Sequence, residues 1–231
     1  MLKMIVSSFY NTIIDYEEAI PTSTVLEIDR IRNKGISFSV CTNRTYQEIL
    51  DYNHDFPFID YIVSLNGSYV YDVNKEKCLF KKKISLTNIN KINKLFEGYS
   101  INYYTENAIY QELVDEDIYK IEIEITSREE LTKLTKINLN YSVLELNNKM
   151  YLELVNNHVS MFSGIDQISL RNNISLNEIL VIGGNESDIE LISNIPNNYV
   201  VDNASKDLKK IARKKTTSNN NHGVEKVLKQ V

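Results

Sequence analysis

Short apolar runs that end in small or polar residues alternate with helical patterns through the first part of the chain. "KMIVSS" predicts a buried strand, "TSTVLEIDRIRNKG" a helix closed by Gly35, "ISFSVCT" a second strand and "TYQEILDYN" a second helix. This β-α-β-α alternation predicts a parallel sheet with crossover helices. "IDYIVSLNG" adds a third strand, and "SYVYDVNKEKCLFKKKI" alternates like a hairpin turned at Asn74.

From about Ile84 the pattern changes. "LTNINKINKLFEG" predicts a helix, "YSINYYTENAIYQEL" and "YKIEIEIT" strands, "SREELTKLTKIN" a helix opened by a capping box at Ser127, and "YSVLELNNKMYLELV" two more strands. In "KIEIEIT", Ile121, Ile123 and Ile125 alternate with Glu122 and Glu124, which predicts a sheet with one solvated side. After about His158 the first pattern returns: a helix, the strand, tight turn and helix of "EILVIGGNESDIELI", a strand in "NYVVDNA", and two closing helices. The expected fold class is α/β, with a Rossmann-like parallel-sheet core at residues 1–83 and 157–231 and an inserted α+β cap at 84–156.

Composition narrows the function classes. The chain has 231 residues, 42% hydrophobic and 25% charged, enough to bury a core. A net charge of −5 leaves no electrostatic footprint for nucleic acid, and "KKIARKK" at 209–215 fits a solvated helix face. Cys41 and Cys78 have neither zinc-ligand nor redox spacing, and His54, His158 and His222 are scattered. No apolar run approaches the ~20 residues of a membrane span, and the first residues show no signal pattern. A cytoplasmic setting is expected, with no membrane partner.

The order of a strand and turn ending in Thr12, then "CTNR", "LNGSYV", the inserted module, "GGNESDIELI", "DNASKDLKKIA" and "NNNHGVEKVL" resembles the haloacid dehalogenase superfamily, specifically its Cof-type phosphatases with an α/β cap. The resemblance covers nearly the whole chain. It implies phosphoryl transfer to an aspartate, with a second aspartate as acid/base and Mg²⁺ neutralising the phosphate. The family's first motif is Asp-x-Asp-Gly-Thr. On it Ser8 takes the nucleophile's place, Tyr10 that of the acid/base, Asn11 that of the glycine, and Thr12 is unchanged. Thr42, Asn43 and Arg44 fall on Thr-Gly-Arg, so the phosphate-binding candidates are these three. Met161 stands where the family's lysine would be. On Gly-Asp-x-x-Asn-Asp, Gly183 is kept, Gly184 replaces the first acid, Ser187 the asparagine, and Asp188 remains as the one candidate metal ligand.

With Ser8, Tyr10, Met161 and Gly184 at the catalytic positions, the resemblance implies a phosphatase homologue with impaired catalysis, a pseudoenzyme that binds a metabolite or a protein. The alternative is a residual Mg²⁺-dependent phosphatase of small phosphorylated metabolites. No cofactor is expected, and Mg²⁺ only under the alternative. Tyr10 fills volume or touches a ligand; Asp188 caps a helix or holds a cation. Thr42 and the helix N-terminus after it offer a seat for a small phosphorylated or anionic ligand, which with a protein partner makes up the candidate partners. The site is expected where the carboxyl ends of the core strands face the cap.

Overall fold

Apolar runs such as Met4, Ile5 and Val6, or Ile179 to Ile182, lack any polar alternation because both of their faces are covered. In the computed structural model, which describes residues 1–54 and 57–231, the chain first runs through β1 (Met4–Ser8), α1 (Thr22–Arg32), β2 (Ser37–Cys41), α2 (Tyr46–Asn53), β3 (Tyr61–Ser64), β4 (Tyr69–Asp72), β5 (Lys77–Lys81) and α3 (Leu86–Leu95). It then forms β6 (Ile101–Tyr104), β7 (Ile109–Tyr110), β8 (Lys120–Ile125), β9 (Leu139–Leu146) and β10 (Lys149–Asn156). It closes with α4 (Met161–Asn172), β11 (Ile179–Gly183), α5 (Ile189–Asn194), β12 (Asn197–Val200), α6 (Lys206–Ile211), β13 (Lys214–Lys215) and α7 (Gly223–Leu228).

One sheet has the order β13-β12-β11-β1-β2-β3-β4-β5, parallel from β13 to β3 and extended by the antiparallel β4–β5 hairpin. The other is antiparallel, β7-β6-β8-β10-β9. Together they give the α/β class expected of the chain. From β1 the chain builds outward to β2 and β3 on one side, and later to β11, β12 and β13 on the other. The sheet's switch point therefore lies between β1 and β11, where open α/β sheets leave a crevice at the strands' carboxyl ends.

Three expectations change. Only the start of 209–215 is a helix face: α6 ends at Ile211, and Lys214 and Lys215 pair with Tyr199 and Val200 as the edge strand β13. Arg128–Lys136 forms 3₁₀ turns, not an α-helix; of its nine residues only Leu134 is buried, so little packing rewards a regular helix there. The polar face of β8 is not simply solvated. Ile121, Ile123 and Ile125 pack into the second sheet's own cluster with Ile92, Phe96, Leu152 and Leu154, but Lys120 and Glu153 on the opposite face are shut in by loops of the first sheet. Among the described residues no helix is long and apolar enough to cross a membrane.

Candidate functional site

The last residue of β1, Ser8, is buried, and the turn after it keeps an unusual shape. Tyr10 is extended (φ −69°, ψ 145°) and Asn11 left-handed (φ 59°, ψ 11°). Asparagine is one of the few residues that tolerate this region, so Asn11 preserves a turn that glycine would otherwise make. Side chains from elsewhere brace it: Asn185 Nδ2 donates to the Tyr10 carbonyl at 2.9 Å, and Asn203 Nδ2 to the Asn11 carbonyl at 2.9 Å. Tyr10 itself lies half-buried, its ring edge against Phe9 and the Arg44 guanidinium 5.4 Å from its centroid. Burial, with Tyr52 beside it, pushes the Tyr10 hydroxyl well above the ordinary tyrosine range, so it is neutral and no base.

Across the switch point, Asp188 sits at the end of the turn that follows β11 and is wholly buried. Its carboxylate is fully engaged by this chain's own donors. Ser8 Oγ donates to Oδ1 at 2.5 Å, and the N–H groups of Gly184 and Asn185 donate to Oδ2 at 2.8 Å each. Burial raises the Asp188 pKa, while those three hydrogen bonds pull against it. Gly183 leaves little room here: a Cβ on it would lie 3.1 Å from the Asp188 side chain. At Gly184 the space has closed. A Cβ there would stand 2.5 Å from Thr12 Oγ1, 2.9 Å from the Asn11 carbonyl and 3.0 Å from Val201.

Mg²⁺ takes near-octahedral oxygen ligation with carboxylates among the ligands. The residues here do not fit it. Ser8 brings a hydroxyl whose proton faces Asp188, position 10 a neutral phenol, position 184 no side chain, and among the described residues no group of three His, Cys, Asp or Glu could hold a metal.

The segment after β2 is committed to internal contacts. Thr42 Oγ1 accepts from the Arg44 N–H at 3.1 Å, and Arg44 leans toward Glu48 at 3.9 Å. At the start of α2, Thr45 and Glu48 form a reciprocal cap in which the Glu48 carboxylate accepts from the Thr45 N–H at 3.0 Å. A carboxylate of the chain thus occupies the helix end proposed from sequence as an anion seat. Asn43 turns toward the second sheet, its Nδ2 donating to Glu153 Oε1 at 2.8 Å.

That contact belongs to a buried ionic cluster which sequence reasoning missed. Lys120 is 0% exposed; its Nζ donates to the Asn43 carbonyl at 2.9 Å and to Glu153 Oε1 at 3.0 Å, with Glu122 at 3.4 Å and the Tyr104 ring centroid at 3.8 Å. Asn66, just beyond β3, donates from Nδ2 to Glu153 Oε2 at 3.0 Å. Burial alone would depress the Lys120 pKa and raise that of Glu153. Their mutual attraction reverses both: Lys120 stands above the ordinary lysine range and Glu153 below the carboxylate range, so both are charged. The available signal was "YLELV", in which one acid interrupts an apolar run: Leu152, Glu153 and Leu154 are all buried, as a strand covered on both faces requires.

Beside the cluster lies a cavity of about 380 Å³ between β9, β10 and the turn before α5. Met161, the first residue of α4, forms part of its floor with Val155 and Ile189; Glu153, Glu186 and Glu190 supply carboxylates. Among the described residues no lysine or arginine lines it. Ser8, Tyr10 and Gly184 do not reach it, so the structure joins Ser8, Gly184 and Asp188 in one cluster and places Met161 in another.

The family model of haloacid dehalogenase-like hydrolases matches residues 5–140 and 105–228. A Haemophilus influenzae protein called "Putative phosphatase" is 22% identical, with 100% of this chain and 98% of that protein covered. A haloacid dehalogenase-like hydrolase from B. subtilis superposes with a TM-score of 0.90 at 17% identity, both chains covered in full. A sugar phosphatase of haloacid dehalogenase subclass IIB superposes at 0.88 with 19% identity, over 99% of this chain and 98% of its own.

Proposed function

The chain belongs to the haloacid dehalogenase-like hydrolases, of the Cof type, and from that premise we propose that it keeps the fold as a binding protein and does not transfer phosphoryl groups. One observation carries this reading: Ser8 and Asp188, at positions where the family resemblance implies two acids facing a metal, hydrogen-bond each other at 2.5 Å. Two carboxylates so close would repel and call for a cation between them; a hydroxyl and a carboxylate satisfy each other and need none. Asp188 is then an internal acceptor that holds the Gly184–Asn185 turn against β1.

Replacing Asp188 separates acceptor from metal ligand. Asp188→Asn keeps an oxygen for the Gly184 and Asn185 N–H groups, and its amide can donate to the Ser8 hydroxyl. Because the folded-state pKa of Asp188 is raised, the unfolded chain releases a proton that the folded chain still holds, and stability falls as pH rises from the usual aspartate value to the folded one. The amide carries no such penalty. Asp188→Asn is therefore expected to melt at or above the wild-type temperature at neutral pH, and about 10 mM Mg²⁺ to shift neither protein. A metal site with a Kd near 0.1 mM would add about 2.7 kcal/mol at that concentration, several degrees for a chain of this size. A Mg²⁺-dependent rise in the wild type that Asp188→Asn abolishes would overturn the reading.

A further inference from the structure

We propose that Glu153 is an internal ligand: its carboxylate fills an anion site built by both sheets and so holds the second sheet shut on the first without a bound molecule. This goes beyond the binding role above and narrows it, because a small anion finds these donors already taken. The donor set is complete. Glu153 Oε1 accepts from Asn43 Nδ2 at 2.8 Å and Lys120 Nζ at 3.0 Å, and Oε2 from Asn66 Nδ2 at 3.0 Å and Ser142 Oγ at 3.2 Å. Two donors on each oxygen satisfy a carboxylate from which water is excluded, and Glu153 is 2% exposed. Asn43 and Asn66 stand just beyond β2 and β3, at the carboxyl ends where open α/β sheets receive ligands.

How these groups divide between the sheets decides what the carboxylate holds. Lys120, Ser142 and Glu153 lie on β8, β9 and β10 of the second sheet and stay together if the sheets part. The Asn43 and Asn66 amides do not. Their bonds to Glu153, and the Lys120 bond to the Asn43 carbonyl at 2.9 Å, exist only while the sheets are closed, so they bias that arrangement as a bound ligand would. A separate apolar cluster seals the flank. Leu65 and Tyr69 from the first sheet's side meet Tyr104 and Tyr119 from the second's, all four buried, and Ser68 Oγ donates to the Tyr119 carbonyl at 2.9 Å. Where the chain passes between the sheets, Asn156 Nδ2 donates to the Lys83 carbonyl at 3.0 Å and ties the returning segment to the outgoing one.

Spin labels at two exposed positions, Asp29→Cys on α1 and Lys94→Cys on α3, measure the separation of the two halves in a full chain carrying Cys78→Ser; Cys41 is buried and stays unlabelled. A single distance is expected. Adding Asn43→Ala and Asn66→Gly, the latter compatible with the left-handed backbone there (φ 54°), removes both amides and spares the Lys120–Glu153 pair. The ratio of parted to closed molecules is expected to rise at least about 100-fold and a second, longer distance to emerge. In a second arm, Glu153→Ala leaves the donors around a space that acetate matches. Acetate at about 50 mM is expected to raise its melting temperature by roughly 3–6 °C, as for a Kd near 5 mM, while ethylamine raises it not at all and the wild type responds to neither. An unchanged single distance without the amides, two distances with them, no response of folded Glu153→Ala to acetate, or an equal rise in the wild type would each overturn the proposal. The distance arm does not depend on Glu153→Ala folding. Neither arm involves turnover, so internal closure can fail while the loss of catalysis stands, and the reverse.

Discussion

Lys120→Met is expected to destabilise the protein by about 3–5 kcal/mol, on the order of 10 °C in melting temperature, because it leaves the Glu153 carboxylate buried without its cation. Glu153 is 2% exposed, and its other partners, Asn43, Asn66 and Ser142, are neutral donors that cannot replace a charge. Burying a lone carboxylate costs far more than burying a pair, so the double variant Lys120→Met with Glu153→Leu should recover most of the loss, short of what the stranded amides of Asn43 and Asn66 cost. The pair also has a pH signature. Glu153, with its pKa lowered, contributes stability above the ordinary glutamate value and loses it as pH falls through the folded value. Lys120, with its pKa raised, contributes below the ordinary lysine value and loses it as pH rises through the folded one. Urea unfolding across pH should show both limbs weaker in the double variant than in the wild type, by the share that Glu153 and Lys120 contribute. A single variant within ~1 kcal/mol of wild type would mean that water reaches the pair.

Putting an acid back at position 184 is expected to harm the protein without helping its chemistry. The ideal Cβ of Gly184→Asp would lie 2.5 Å from Thr12 Oγ1 and 2.9 Å from the Asn11 carbonyl, both in the turn that the Asn185 and Asn203 side chains brace. Overpacking of a closed interior costs ~1–3 kcal/mol, and a second carboxylate beside the wholly buried Asp188 adds repulsion, so a loss of ~3 kcal/mol is expected. Adding Ser8→Asp and Tyr10→Asp rebuilds the motif on paper but breaks the Ser8–Asp188 hydrogen bond and opens the space that Tyr10 fills against Phe9. The triple variant should melt well below wild type and release no phosphate. A triple variant that folds as well as wild type and gains Mg²⁺-dependent phosphatase activity would show that the site is merely unarmed rather than closed.

The contrast between these two regions also marks what the sequence could reveal. Strands β1, β2, β3 and β11 are local apolar runs ending in small residues, and their order along the chain leaves few ways to assemble a parallel sheet. The replacements at 8, 10, 161 and 184 stand at positions that motif order alone locates. What they do is a matter of contacts between distant segments: Ser8 with Asp188, Thr12 against Gly184, Asn43 with Glu153. Alternation along β8 was informative for Ile121, Ile123 and Ile125 but silent on what covers the other face, since the periodicity of one strand carries no information about loops elsewhere. Asn43 shows the limit most clearly. By motif it replaces a glycine at a phosphate site; in the fold it ties the two sheets together through the Glu153–Lys120 pair.

Phosphate release from sugar phosphates, a nucleoside monophosphate and a chromogenic aryl phosphate, followed at high protein concentration with Mg²⁺ and with chelator, tests the central claim most directly. Loss of a nucleophile alone removes on the order of a millionfold in rate, so no metal-dependent release above the chelator control is predicted for any substrate. Mg²⁺-dependent turnover of the wild type that disappears in Asp188→Asn would contradict the account, and would mean that Asp188 exchanges its bonds to Ser8, Gly184 and Asn185 for a metal.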